Sequence, residues 1–167
     1  MQRLMILRHA KAVPWGSTPN DFSRPLNDIG NAHAEAVAHW IDASLDFPDV
    51  VLCSPSQRTR ETLAPIIDSR TPREQRTRFL PQLYGATFGT LINILDHAFA
   101  EHDSVLLVGH NPGLEHLVFE TVARSGQAGF KRLATGTLVV VGLDPDWAEA
   151  QGQGQIEHIV RGKKLLA

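Results

Sequence analysis

A chain of 167 residues, 43% apolar and 20% charged, has the composition of an ordinary globular protein and is expected to fold as a single domain over 1–167 rather than stay disordered. A formal net charge of −2 excludes the basic excess of a nucleic-acid-binding surface. Apolar runs of only a few residues exclude a membrane helix and a secretory leader, so a cytoplasmic protein is expected. The single cysteine, Cys53, excludes an intramolecular disulfide and a cysteine-built zinc site.

Leu4-Met5-Ile6-Leu7 is an apolar run closed by Arg8 and His9. It reads as a buried strand that delivers a guanidinium and an imidazole to its carboxyl end, where open α/β sheets place their chemistry. By itself the dipeptide is equally compatible with two ordinary loop residues. Residues 12–27 carry Pro14, Gly16, Pro19 and Pro25 and form a long loop. Arg24 in this loop either approaches the first strand's end or is a solvated charge paired with Asp21. From Asn27 or Asp28 a helix follows, with an Asn-Asp cap and Ile29, Ala36, Val37, Trp40, Ile41 and Leu45 on its inner face.

Val50-Val51-Leu52-Cys53 is a second buried strand, followed directly by Ser54-Pro55-Ser56-Gln57-Arg58. Ser54 and Gln57 have capping-box spacing and Pro55 suits a first helical position, so Arg58 is expected in the first turn of a helix. Pro65 is expected to kink or break that helix before Ser69. A short strand is expected around Phe79 and Leu80, and an amphipathic helix from Thr87 with Phe88, Leu91, Ile92, Leu95, Ala98 and Phe99 on one stripe. Ser104-Val105-Leu106-Leu107-Val108-Gly109 is the third buried strand. It opens into His110-Asn111-Pro112-Gly113, with Asn111 as the expected cap of the next helix. The β-branched run from Thr137 to Leu143 and the partly alternating 156–160 are expected to pair as a hairpin. The basic residues 161–164 are expected to form a solvated end.

Strands alternating with helices imply a mostly parallel sheet with helices on both faces, so the carboxyl ends of the parallel strands share one side. Arg8, His9, Arg58 and His110 would then converge beside two helix N-termini, an arrangement suited to a dianion such as a phosphoryl group. The sequence has no carboxylate cluster of metal-binding type and no Gly-rich phosphate loop of the Walker type. A neutral imidazole is left as the nucleophile, forming a covalent phosphoenzyme that water later hydrolyses.

Leu7-Arg8-His9-Ala10, Ser54-Pro55-Ser56-Gln57-Arg58 with Thr62, and Val108-Gly109-His110-Asn111-Pro112-Gly113 resemble the motifs of the histidine phosphatase superfamily. The short chain, Lys11-Ala12 and Asp21-x-x-Arg24-Pro25-Leu26 narrow the resemblance to the SixA-type phosphohistidine phosphatases. It extends from the first strand to about Leu143. It implies a three-layer α/β/α sandwich with a mostly parallel sheet, as in phosphoglycerate mutases. It also implies a metal-independent phosphatase without a cofactor, in which His9 is the nucleophile and Arg8, Arg58 and His110 hold the phosphoryl oxygens. Arg24 and Lys11 would bind substrate at the rim. The partner implied is a phosphohistidine-bearing protein or a small phosphorylated substrate, with no nucleic acid and no membrane.

One departure from the superfamily pattern bears on substrate. Where many relatives carry an acid that protonates the leaving oxygen, the corresponding stretch here is Pro81-Gln82-Leu83-Tyr84-Gly85-Ala86-Thr87, without a carboxylate. An alkoxide leaves poorly without a proton, whereas the nitrogen of a phosphoramidate is protonated near neutral pH. Phosphohistidine is therefore the expected substrate. The alternatives are a small phosphomonoester, with Asp21, Asp28 or Glu35 as the acid, and a non-catalytic phosphate-binding module.

Overall fold

The computed structural model describes residues 1–67, 71–125, 130–150 and 152–167, apart from the side chains of residues 71 and 72. Its centre is strand β1 (Gln2–Arg8), in which Leu4, Met5, Ile6 and Leu7 are each 1% exposed or less. A strand buried on both faces reads as a continuous apolar run because alternate side chains serve opposite layers. Leu4 and Ile6 join one apolar cluster, and Met5 and Leu7 join another across the sheet.

The other elements follow from the same pattern. Helix α1 (Asp28–Ser44), strand β2 (Val50–Cys53), helix α2 (Gln57–Ile67), the short helix α3 (Thr71–Gln75) and strand β3 (Thr77–Phe79) make up the first half. After a 3-10 turn at Pro81–Leu83 come helix α4 (Phe88–Glu101), strand β4 (Ser104–Gly109) and helix α5 (Gly113–Val122). The hairpin strands β5 (Thr137–Leu143) and β6 (Gln155–Arg161) and the short helix α6 (Gly162–Leu165) complete the chain. The sheet order is β3-β2-β4-β1-β5-β6. β1 runs parallel to β4, β4 to β2 and β2 to β3, while β5 is antiparallel to both β1 and β6. Helices α4 and α5 cover one face through Leu91, Leu95, Leu114 and Leu117, and α1 and α2 cover the other through Val37, Ile41, Leu63 and Ile66. This is the mostly parallel three-layer α/β/α sandwich expected from the sequence. Among the described residues no helix is long and apolar enough to cross a membrane.

Local readings are corrected in several places. Ile29 is 51% exposed, because the buried stripe of α1 runs through Gly30, Ala34, Val37, Ala38 and Ile41 instead. Gly30 sets that rotation: a Cβ there would collide with the carbonyl of Lys11. Helix α2 begins at Gln57, and Ser54 forms no capping box. The Gln57 N–H goes to Phe22 O at 3.0 Å, while Ser56 and Thr59 bond each other at 2.7 Å. Pro65 sits inside α2, which continues to Ile67 because Leu63 and Ile66 are anchored in the core. The expected approach to Ser69 lies outside the described residues. Asn111 does not cap α5, since its amide is drawn to Leu133 O at 2.8 Å and Pro112 takes the cap position. Lys163 and Lys164 are exposed as expected, but Gly162 is buried against His33 of α1.

Candidate active site

The carboxyl ends of β1, β2 and β4 lie side by side, and the backbone around His9 is held from several directions. His9 N–H donates to Gly109 O at 3.1 Å, and Gly136 N–H donates to His9 O at 3.0 Å. The next amide, of Ala10, donates to Thr62 Oγ1 at 2.9 Å, and that hydroxyl donates in turn to Arg58 O at 2.7 Å. The motif threonine on α2 therefore ties the first strand's end to the residue that carries the guanidinium.

His9 itself is 7% exposed. Its Nδ1 lies 2.8 Å from Ala10 O. A carbonyl can only accept, so Nδ1 carries the proton and Nε2 keeps its lone pair. Burial pushes the imidazole pKa down to about 3, partly offset by the Ala10 carbonyl and deepened by His110, Arg58 and Arg8. His9 is thus neutral and nucleophilic at physiological pH.

The His110 ring lies 5.4 Å from that of His9. Its Nδ1 faces Arg58 Nη2 at 3.3 Å and its Nε2 faces Ser54 Oγ at 2.8 Å. A guanidinium only donates, so Nδ1 accepts and Nε2–H donates to the serine. Burial, followed by the charge of Arg58, lowers the His110 pKa to about 4. A bound dianion would work in the opposite direction on His110 and favour its protonated form.

Arg58 is 5% exposed. Its Nη1 donates to Asp21 O at 2.8 Å and its Nη2 to Asp21 Oδ2 at 3.0 Å. Asp21 is a junction: Oδ1 accepts from Arg24 Nε at 3.2 Å and Nη2 at 3.0 Å, and Oδ2 also accepts from the Tyr84 hydroxyl at 2.7 Å. These donors, Tyr84 first, hold the carboxyl pKa down at about 2 against the opposing effect of burial.

Arg8 is fixed from the other side. Its Nη1 donates to Leu133 O at 3.0 Å, the carbonyl that also receives the Asn111 amide. Leu133 N–H donates to Glu115 Oε2 at 2.7 Å. Burial lowers the Arg8 pKa, with the charge of Glu115 opposing. Among the described residues, Arg8 Nε and Arg58 Nε are buried without a hydrogen-bond partner. Unpaired buried guanidinium N–H groups are costly, and an oxyanion would satisfy them.

The structure therefore brings Arg8, His9, Arg58 and His110 into one cluster, and Arg24 joins it through Asp21. Lys11 stands apart. It is exposed, and its charge acts on His33 of α1. Ser54, Tyr84, Asn111, Glu115 and the Leu133 peptide enter the site without having been named for it. Ser54 and Asn111 stand within the strand-end motifs, and both bond to site groups rather than cap the helices that follow. The Tyr84 stretch drew attention only for its missing carboxylate.

A family model described as histidine phosphatase superfamily (branch 1) matches residues 4–101. The chain belongs to the histidine phosphatase superfamily. An uncharacterized Mycobacterium tuberculosis protein, Rv1276c, is 32% identical over 152 residues, covering 87% of this chain and 92% of that protein. An uncharacterized chloroplastic Arabidopsis thaliana protein is 28% identical over 159 residues, covering 89% and 70%. Among solved structures, a protein from Nakamurella multipartitia assigned as the phosphohistidine phosphatase SixA superposes with a TM-score of 0.78 at 28% identity, over 95% of each chain. The protein histidine phosphatase SixA complexed with tungstate shares the fold with a TM-score of 0.77 at 23% identity, over 98% of this chain and 99% of that one. Superfamily membership and the 28% identical neighbour support a phosphatase.

Proposed function

We propose that this histidine phosphatase removes the phosphoryl group from phosphohistidine on a protein by metal-independent transfer to His9. The observation that carries the reading is a buried, neutral His9 with a bare Nε2, set against Arg8 and Arg58, whose buried Nε groups have no hydrogen-bond partner among the described residues. In the first step the His9 Nε2 lone pair forms a bond to phosphorus as the bond to the leaving group breaks. Arg8, Arg58 and a protonated His110 bind the equatorial oxygens, where charge is greatest during in-line transfer. A water oxygen then bonds to phosphorus as the P–Nε2 bond breaks and its electron pair returns to Nε2, releasing phosphate and regenerating the neutral imidazole.

The substrate class follows from which groups can act as an acid. Asp21 is ionised at neutral pH and engaged by two arginines and Tyr84. Asp28 and Glu35 are exposed on α1. Asp21, held ionised, supplies no ready proton to a leaving alkoxide, whereas phosphohistidine brings its own on the distal ring nitrogen. The SixA likeness supports the same class. The test is a comparison of a phosphohistidine peptide with aryl and sugar phosphates. The peptide is expected to have the highest kcat/KM, and a clear preference for sugar phosphates would overturn the reading.

A further inference from the structure

Asp21, Phe22 and Tyr84 form one contiguous face beside Arg58 and His110. Phe22 and Tyr84 are 43% and 38% exposed. Their rings meet edge to face at 5.2 Å, and the Tyr84 ring continues the contact to His110 at 5.5 Å. The Tyr84 hydroxyl reaches the same carboxylate oxygen of Asp21 that Arg58 holds. Exposed aromatic rings beside a carboxylate suit a flat cation, through the negative ring faces and the full charge of the carboxylate. In-line displacement sends the leaving atom away from the nucleophile. His9 lies at the buried floor, so the leaving group departs toward the exposed side, where this face stands.

We propose that Asp21, Phe22 and Tyr84 form a leaving-group subsite that selects phosphoryl donors whose leaving group is a flat nitrogen ring protonated on its distal nitrogen, as in the imidazolium form of phosphohistidine. The proposal rests on the reading of the site as a phosphohistidine phosphatase. In the free site four donors fill the Asp21 carboxylate: Arg24 Nε and Nη2 on Oδ1, and Arg58 Nη2 and the Tyr84 hydroxyl on Oδ2. A phosphoryl oxygen that captures Arg58 Nη2 releases one acceptor position on Oδ2. The distal N–H of the substrate imidazolium takes it. As His9 Nε2 bonds to phosphorus, the P–N electron pair stays on the departing ring nitrogen. The distal proton stays in place, so the ring leaves as neutral imidazole rather than imidazolate. With an ester the P–O pair stays on oxygen, and negative charge grows beside the same carboxylate. Asp21 therefore favours nitrogen leaving groups and opposes oxygen ones.

Three small donors separate charge from shape. Phosphoimidazole is flat and leaves from a protonated form, phosphoramidate is protonated without being flat, and p-nitrophenyl phosphate is flat but leaves as an anion. Asp21→Asn is expected to lower the kcat/KM ratio of phosphoimidazole to p-nitrophenyl phosphate about tenfold, the scale of one charge-assisted hydrogen bond. Its loss of the Arg58 contact affects both donors and cancels in the ratio. Phe22→Ala is expected to lower the ratio of phosphoimidazole to phosphoramidate about threefold. A further measurement on the wild-type protein needs no variant: imidazolium chloride is expected to tighten inorganic phosphate binding about threefold relative to sodium chloride at equal ionic strength. Unchanged ratios would overturn the proposal and leave Asp21 as a support for Arg58 alone. A rise in all three activities in Asp21→Asn would also overturn it, by marking Asp21 as a competitor of phosphate. Wild-type preference for sugar phosphates over a phosphohistidine peptide, with the ratios shifting as stated, would remove the substrate reading and not the subsite.

Discussion

Lowering the pH from 7.5 to 5 perturbs the site without altering a residue, and the buried histidines determine the outcome. His9 has a pKa of about 3 in the folded protein because burial disfavours its charged form; in the unfolded chain it returns to about 6.5. Between these values the unfolded chain holds a proton that the folded chain lacks. Stability therefore rises with pH through this window, is complete above about pH 6.5, and is lost as the pH falls toward 3. At about 1.4 kcal/mol per unit, His9 alone accounts for about 2 kcal/mol between pH 7.5 and 5. His110, lowered to about 4, and His33, lowered by burial, act in the same direction. Asp21, at about 2, has the carboxylate sense: its contribution is present above its unfolded value and is lost only as the pH falls toward 2. The interval from pH 4.5 to 6.5 thus isolates the histidines. Urea unfolding of wild type and His9→Gln across it should show the variant losing about 2 kcal/mol less between pH 7.5 and 5. NMR of the His9 ring should show no titration above pH 5. A ring that titrates near 6.5, or equal acid sensitivity in the two proteins, would refute the reasoning.

Two further outcomes follow from geometry. Arg58→Lys keeps a charge but loses the fork that reaches Asp21 and His110 at once. Steady-state assays should show kcat/KM for p-nitrophenyl phosphate about 10²- to 10³-fold lower, the scale of one lost transition-state donor. Gly30→Ala places a methyl against the Lys11 carbonyl, where loop and helix α1 meet. Urea melts should show a destabilisation of about 1–3 kcal/mol, the usual effect of overpacking.

The sequence made the parallel core legible because β1, β2 and β4 are buried on both faces and read as uninterrupted apolar runs that end at the motif residues. Their side-by-side order was not legible, since the pairing of Arg3 with Ser104 or of Val51 with Thr77 joins distant segments through backbone bonds that carry no side-chain code. Arg8, His9 and His110 are legible as neighbours because they stand at strand ends, and Arg58 because it lies in the helical turn that follows β2. Ser54 and Asn111 were misassigned because one short polar side chain serves a helix cap and a site hydrogen bond equally well. The contact of Tyr84 with Asp21 spans 63 residues and joins two segments without regular periodicity, so no local pattern encodes it. The spacing of apolar residues includes Ile29, whereas the close approach of Gly30 to the Lys11 carbonyl turns Gly30 inward and leaves Ile29 exposed.

A phosphoryl group carried covalently on His9 is open to direct trapping. Brief incubation with a radiolabelled phosphodonor, quenched in alkali to preserve phosphohistidine, should place the label on the peptide containing His9 in the wild-type protein and nowhere in His9→Ala. Turnover by wild type with no label on His9, or wild-type kcat/KM in His9→Ala, would contradict the account.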